Sequence, residues 1–232
     1  MTFSLVKDKW TKADIKSFNE FLEEKKVESK IDFSKRVVNT NMQVLGINNP
    51  TCKSYAQEIH KGNFLEFLDK NDFKYYESTL VSAYIINYIK DIKEKRKYID
   101  KLYMDNWATV DSLKFDVKKQ EEEFLELSKE YIKSKDTFVR RVGVRILFSY
   151  TSSKYVDEVF KIIESLYKEK EYYVNMAVAW LLCELMIKNR NKTVEFLKNG
   201  KINDFVMHKT VSKCRDSFRI SEKDKKMLKE MI

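Results

Sequence analysis

Apolar side chains recur every three or four positions along nearly the whole chain, which is the spacing of one face of an α-helix. In the first such segment, Ile15, Phe18 and Leu22 fall on one stripe, and charged residues lie opposite. The same pattern continues through the sequence and predicts a succession of helices, over residues 11–26, 31–39, 49–59, 63–69, 74–90, 92–104, 107–117, 119–133, 136–150, 154–168, 171–188, 191–198, 203–218 and 221–231.

Turn residues are too scarce for a β-rich fold. The 232 residues include only 4 glycines and 1 proline, where average usage would give about 16 and about 12. Because an all-β fold needs turn residues every ~8–12 positions, this scarcity favours an all-α protein. The linkers between predicted helices are short and polar, so we predict a single domain over residues 1–232, with a helical N-terminal cap over 1–40 and a repeat array over 41–232.

A weak internal repeat indicates how the helices are arranged. Residues 138–147 overlay residues 173–182 at an offset of 35, and residues 81–86 overlay residues 177–182. A helix-pair period of about 35–45 residues is typical of an α-solenoid superhelix of antiparallel helix pairs, with one layer of helices on a concave face. The alternative is that any two amphipathic helices would overlay this well.

The chain is basic, with a formal net charge of +9. This balance favours a polyanionic partner such as nucleic acid, although a general bias towards lysine would give the same value. If the positive residues share the concave face, they would bind phosphates in a salt-sensitive way. They concentrate late in the chain, and the candidates for DNA contact are Arg140, Arg141, Arg145, Lys188, Arg190 and Lys213.

Metal and disulfide chemistry are not indicated. Cys52, Cys183 and Cys214 are far apart in sequence and form no C-x-x-C motif, and neither histidine lies near a cysteine or a second histidine. We therefore predict free thiols in a reducing compartment, no bound metal and no cofactor. No apolar run reaches the length of about 18 residues that spans a membrane, so we expect a soluble, cytoplasmic protein without membrane contact.

Residues 105–113, Asp-Asn-Trp-Ala-Thr-Val-Asp-Ser-Leu, contain the strongest candidate for a site. Trp107 and Asp111 lie four positions apart, so a helix places them on one face. Taken alone, the indole favours packing and the carboxylate favours a surface or capping role. Asp105 or Asn106 is the predicted N-cap of this helix, which leaves Asp111 free of that role.

Four segments, in their order and spacing, resemble a known family. They are Leu45-Gly46-Ile47 followed by Pro50, residues 106–113 with a W-x-x-x-D pattern, residues 138–148 with an arginine, and residues 172–182 with a second tryptophan. The set covers about residues 40–225 and is similar to the HEAT-like repeat alkylpurine DNA glycosylases, the AlkD-like DNA alkylation repair proteins.

The resemblance implies a superhelix of HEAT-like repeats with a basic concave DNA groove. It also implies excision of cationic N3- or N7-alkylated purines from duplex DNA, without full base flipping. Asp111 would be the catalytic carboxylate, and Trp107 and Trp180 would be the aromatic pair at the lesion. Arg141, rather than Arg140, would be the DNA-contacting arginine. The partner would be double-stranded DNA with alkylated bases, and a repeat protein of this kind is expected to be a monomer.

These residue types fit the reaction. A cationic alkylpurine is already a good leaving group, so no general acid is needed. A fixed carboxylate stabilises the oxocarbenium-like sugar and can position water. Indole faces attract cationic groups, and an arginine fork holds a phosphate.

Two other functions stay open from the sequence. Ala108 and Cys183 stand where family members carry an aromatic residue and an arginine. These differences leave room for a relative that binds DNA, for example branched DNA, without excising bases. The second alternative is an α-solenoid scaffold whose basic face binds an acidic protein. A salt-dependent DNA affinity would separate the DNA-binding functions from the scaffold.

Overall fold

Helices account for the regular structure of the protein. The computed structural model describes residues 3–232, and no β-strand occurs among them apart from one isolated bridge between Gln43 and Tyr75. The prediction of an all-α protein is confirmed. The α-helices are α1 (Lys12–Glu24), α2 (Ile31–Val38), α3 (Asn49–His60), α4 (Phe64–Lys70), α5 (Tyr76–Ile86), α6 (Ile92–Lys101), α7 (Trp107–Asp111), α8 (Glu121–Ile132), α9 (Thr137–Leu147), α10 (Val156–Ser165), α11 (Tyr172–Lys188), α12 (Arg190–Asn199), α13 (Asp204–Asp216) and α14 (Glu222–Lys229).

Capping side chains explain why many of these helices begin where they do. Asp136 accepts from the backbone N–H groups of Phe138 and Val139 at 2.7 and 3.0 Å and so starts α9. The sequence predicts Asn49 as the N-cap of α3, and this prediction is wrong by one residue. Asn48 accepts from the N–H of Thr51 at 2.9 Å, and Asn49 is already helical.

One predicted helix is much shorter than expected. The pattern predicts a helix over residues 107–117, but α7 ends at Asp111. The side chain of Asn87 donates to the carbonyl of Ser112 at 2.9 Å and accepts from the N–H of Lys114 at 2.7 Å. Because these bonds engage the backbone groups that a longer helix would use, the chain leaves the helix here.

The chain forms two compact units, unit 1 (Met1–Lys114) and unit 2 (Phe115–Ile232). The single domain over residues 1–232 stays a prediction. In unit 1, α3, α4, α6 and α7 pack against α5, whose residues are buried on nearly every side. An aromatic cluster of Trp10, Phe18 and Phe67 lies in the core of this unit, with ring centroids 4.9 to 5.1 Å apart.

Unit 2 contains a row of three helices, in which α9 packs on α11 and α11 packs on α13. A second helix packs against each member of the row, α8 on α9, α12 on α11 and α14 on α13. The segments that overlay at an offset of 35 residues are α9 and α11, which are therefore equivalent, adjacent members of the row. This succession of helix pairs is the organisation of a solenoid.

Gly143 allows α8 and α9 to approach closely. A Cβ atom at this position would lie 2.8 Å from Ile132 Cγ1 and 3.0 Å from the carbonyl oxygen of Ser128. The hydroxyl of Ser128 also donates to the carbonyl of Gly143 at 2.8 Å. The contact fixes the helix that carries the candidate arginines. Within residues 3–232, no helix combines the length and the apolar character needed to cross a membrane.

Candidate functional site

The start of α7 is fixed by two neighbouring side chains with different roles. Asn106 is fully buried and accepts from the N–H of Thr109 at 2.9 Å, so Asn106 is the N-cap. Asp105 instead binds the segment that follows α2. Its carboxylate accepts from the hydroxyl of Thr40 at 2.6 Å and from the N–H of Asn41 at 2.8 Å. The N-cap of α7 is therefore Asn106, one of the two predicted candidates, and Asp105 is not.

Trp107 and Asp111 lie on the same helix at the predicted spacing, and both are half-buried. The indole Nε1–H of Trp107 donates to the carbonyl of Val37, at the C-terminal end of α2, at 3.1 Å. Between the two residues, the hydroxyl of Thr109 contacts that of Thr79 on α5 at 3.0 Å in the core. The buried face of α7 thus holds the helix on α5, and the indole orientation is set by a hydrogen bond.

A buried carboxylate that sequence reasoning missed holds the loop before α3. Glu77 has no solvent exposure, and its carboxylate accepts from the N–H of Leu45 at 3.0 Å and of Ile47 at 3.3 Å. Gly46, between them, has φ of +76°, and a Cβ there would lie 2.5 Å from the carbonyl oxygen of Val27. Burial raises the pKa of Glu77, and the N–H groups of residues 45–47 oppose this rise. The only sequence signal is a carboxylate in the first turn of an otherwise uncharged helix.

Trp180 lies in α11 of unit 2 and is half-buried. Its ring meets that of Phe148 edge to face, with centroids 4.7 Å apart. The guanidinium carbon of Arg145 lies 4.5 Å from the centroid of Phe148 and 4.7 Å from that of Trp180. The structure therefore brings two of the predicted site residues of unit 2 together, with a cation over the indole.

The guanidinium of Arg140 makes intramolecular contacts, and its contact with DNA stays a prediction. Its guanidinium pairs with Glu169 at 2.7 Å, with 15% and 8% of the two side chains exposed. It also donates to the carbonyls of Ser134 and Lys135 at 2.9 and 3.0 Å. Although burial opposes ionisation, the Arg140 guanidinium and backbone N–H groups hold the pKa of Glu169 below its ordinary value.

Arg141 is also turned towards the protein. Only 5% of the residue is exposed, and its guanidinium donates to the carbonyl of Tyr173 in α11. The resemblance implies a DNA-contacting arginine at this position, and that contact stays a prediction. A guanidinium in this position stabilises the packing of α9 on α11.

The other predicted DNA-contacting residues differ in how accessible they are. Lys188 is exposed and donates to the hydroxyl of Thr151 at 3.0 Å. Arg190 is exposed and pairs with Asp224 at 2.5 Å. Lys213 is half-buried on α13. Their contact with DNA stays a prediction.

The three cysteines are free thiols and all are buried. The structure brings two of them together, which their sequence separation did not indicate. A hydrogen bond with Cys214 lowers the pKa of the Cys183 thiol, and the same contact together with burial raises the pKa of Cys214. Cys183 is therefore part of the packing of α11 on α13. Within residues 3–232, no group of three or more His, Cys, Asp or Glu side chains could hold a metal ion.

The fold and these clusters define a class, an all-α solenoid-like protein with an indole–carboxylate pair in one unit and an indole covered by a cation in the other. Residues 18–214 match the family described as DNA alkylation repair enzyme. Because the match spans most of the sequence, the chain belongs to this family, and its function lies in DNA repair. The resemblance inferred from the four segments is confirmed at the level of this family.

A solved structure with a similar fold is described as a predicted DNA alkylation repair enzyme from Enterococcus faecalis. The TM-score is 0.65 at 13% sequence identity, and the likeness covers 83% of this chain and 98% of that chain. At this identity the likeness shows the fold alone. A search of curated proteins finds no match.

Proposed function

We propose that the protein is a DNA glycosylase that hydrolyses the N-glycosidic bond of cationic N3- and N7-alkylpurines in duplex DNA. The observation that carries the proposal is the α7 pair. Trp107 and Asp111 lie on one helix, both half-buried, and the indole is fixed by its bond to the carbonyl of Val37. Membership of the DNA alkylation repair enzyme family supports the choice of substrate class.

The chemistry needs little beyond this pair. The bond from C1′ to the purine nitrogen breaks, and its electron pair neutralises the cationic base. The Asp111 carboxylate stabilises the positive charge that develops on the sugar and orients the water whose oxygen bonds to C1′. The water proton passes to solvent. Trp107 offers an electron-rich face to the cationic lesion.

A second candidate function, binding of DNA without base excision, is favoured by one observation in unit 2. The Arg145 guanidinium already lies 4.7 Å from the centroid of Trp180. A cationic purine approaching this ring would meet a like charge, whereas a phosphate would be attracted. A DNA-structure binder would use unit 2 in this way and would not require Asp111.

Release of free base separates the two functions. The full chain, in excess, is incubated with duplex DNA containing a single N7-methylguanine, and released base is measured by chromatography. A glycosylase releases the base, and Asp111→Asn should lower the rate by about 100-fold or more because charge stabilisation is lost. DNA affinity should stay within about twofold, since Asp111 is one neutralised charge among many contacts.

The control is Asp116→Asn, an exposed carboxylate close in sequence, which should leave the rate unchanged. No release by the wild-type chain, together with tight and salt-sensitive DNA binding, would favour the second candidate. Equal rates for wild type and Asp111→Asn would remove Asp111 from the reaction.

A further inference from the structure

Helix α2 presents an unusual apolar edge. Of its eight residues only Val38 is buried, while 61% of Phe33 and 44% of Val37 are exposed. These two side chains lie one helical turn apart, and the guanidinium carbon of Arg36 lies 6.0 Å from the centroid of the Phe33 ring. We call Phe33, Arg36 and Val37 the α2 ridge. Neighbouring apolar side chains that stay exposed are typical of a surface that binds a partner.

The ridge is fixed to the helix that carries the proposed catalytic pair. The carbonyl of Val37, a member of the ridge, accepts the indole N–H of Trp107 at 3.1 Å. Two residues beyond α2, Thr40 and Asn41 are held by the carboxylate of Asp105, which directly precedes the N-cap of α7. The α2 ridge is therefore continuous with the candidate site of unit 1, and hydrogen bonds on both sides of residue 39 hold it there.

The charges around the ridge indicate the class of partner. Lys30, Lys35 and Arg36 are exposed, and among residues 3–232 none of the three forms an ion pair with a carboxylate. Exposed cations beside an exposed aromatic ring match a nucleic acid, in which phosphates flank flat apolar bases. Apolar side chains flanked by cations are also the means by which proteins enter the minor groove and partly unstack a base step.

We propose that the α2 ridge binds the DNA beside the lesion, with Phe33 against the edge of a partly unstacked base step and Arg36 and Lys35 at the flanking phosphates. The inference rests on the proposed function and deepens it, because it assigns a lesion-sensing residue. Separating stacked bases costs least where the duplex is already weakened. The ridge therefore increases the affinity for damaged over intact DNA.

Fluorescence anisotropy of the full chain tests this. The probes are two labelled duplexes of equal sequence, one intact and one with a tetrahydrofuran abasic-site analogue. Phe33→Ala should weaken binding to the abasic duplex by about tenfold, the loss of one base contact, and binding to the intact duplex by less than about threefold. Phe33→Tyr keeps the ring and should retain the preference for the abasic duplex.

The matched control is Phe218→Ala, which removes another exposed phenylalanine, 95% exposed and in unit 2. Phe218→Ala should bind both duplexes like the wild type. A second readout places 2-aminopurine next to the abasic site. Its fluorescence should rise when wild type or Phe33→Tyr binds and should not rise with Phe33→Ala, as expected if Phe33 separates the bases.

The outcomes separate the inference from the proposed function. Binding of wild type and Phe33→Ala with equal affinity and equal 2-aminopurine signal would overturn the role of the ridge and leave the glycosylase proposal intact. A wild-type chain that binds neither duplex would overturn both. A wild-type dimer in sedimentation that Phe33→Ala converts to a monomer, without a change in DNA affinity, would instead assign the ridge to a second copy of the chain.

Discussion

The two units use side chains of opposite charge to hold their backbone near the candidate residues. In unit 1, the carboxylates of Glu77 and Asp105 accept from backbone N–H groups of residues 41–47. In unit 2, the guanidinium groups of Arg140 and Arg141 donate to backbone carbonyls of residues 134, 135 and 173. Some charged residues of this sequence therefore hold the backbone in place, so the net charge of a segment overstates the charge available for a ligand.

The two half-buried tryptophans also differ in what holds them and in the charge beside the ring. Trp107 is held by a hydrogen bond to Val37, and among the described residues no lysine or arginine lies over its ring. Trp180 is held by packing on Phe148, and Arg145 covers part of it. We therefore expect the ring in unit 1 to accept a cationic group more readily than the ring in unit 2, which already has the Arg145 cation beside it.

The largest effect should come from removing the buried carboxylate of unit 1. Glu77→Ala leaves the N–H groups of Leu45 and Ile47 buried without their acceptor, at about 1–3 kcal/mol each, and opens a cavity. We expect the free energy of unfolding in urea to fall by about 3–6 kcal/mol. The control is the exposed Glu20→Ala on α1, which should change it by less than about 0.5 kcal/mol. Equal effects of the two variants would remove the structural role of Glu77.

Breaking the Arg140–Glu169 ion pair of unit 2 should lower the free energy of unfolding by a smaller amount, and the effect should depend on pH. Arg140→Met leaves Glu169 with little exposure and no ion-pair partner, so we expect a loss of about 2–4 kcal/mol at pH 7. The folded-state pKa of Glu169 lies below its ordinary value of 4.5. The pair therefore stabilises the fold above that value, and its contribution is lost as pH falls through the folded-state pKa.

Urea unfolding of wild type and Arg140→Met should thus give curves that converge as the pH falls below about 4.5. Arg215→Met is the control, because the Arg215–Asp216 pair is largely exposed and contributes less than about 1 kcal/mol. If the difference in unfolding free energy between wild type and Arg140→Met stays constant as the pH falls below about 4.5, the assignment of the pH dependence to Glu169 is contradicted.

Removing the cation beside Trp180 should make this indole as accessible to an added cation as Trp107 is. Arg145→Met keeps an apolar stem against Phe148 and Trp180 but loses a cation–π contact of about 1 kcal/mol. Thermal unfolding measures this loss, and quenching of Trp180 fluorescence by the cation N-methylpyridinium should increase. The control is Lys154→Met, which removes a cation 5.0 Å from the centroid of the half-buried Tyr155 ring. This variant should leave the quenching unchanged. Unchanged quenching in Arg145→Met would show that the ring is covered by something other than the cation.

The smallest effect should come from the indole N–H in unit 1. Trp107→Phe keeps an aromatic ring but removes the donor to Val37, a partly exposed bond of about 0.5–1 kcal/mol. We expect faster amide exchange over residues 38–41, measured by mass spectrometry, with little change in global stability. Trp180→Phe removes an indole without disturbing α2 and should not affect that segment. Exchange that is unaltered in Trp107→Phe would mean that Asp105 alone fixes the segment.

Local signals in the sequence were sufficient for most of the fold. Apolar spacing predicts nearly every helix, and a local cap such as Asn106 predicts where a helix begins, because both act within a few residues. The end of α7 could not be predicted in this way, since Asn87, which ends it, lies 25 residues before Ser112. The pairing of Cys183 with Cys214 depends likewise on helix packing, which spacing along the chain does not encode.

The candidate site, too, could be predicted only where it depends on residues close in sequence. The spacing of Trp107 and Asp111 is a local property, and the structure places both on α7 as predicted. The directions of Arg140 and Arg141 are not local, because their acceptors lie 29 and 32 residues away, in Glu169 and Tyr173. A basic segment therefore predicts an anion-binding surface only after its intramolecular partners are known.

The positions of the three tryptophans also allow the unfolding of each unit to be followed by intrinsic fluorescence. Trp10 is fully buried, whereas Trp107 and Trp180 are half-buried and lie one in each unit. A chain that keeps only Trp107 would report unit 1 by its emission, and a chain that keeps only Trp180 would report unit 2. Unfolding transitions recorded with the two chains would coincide if the units melt together and separate if each melts by itself.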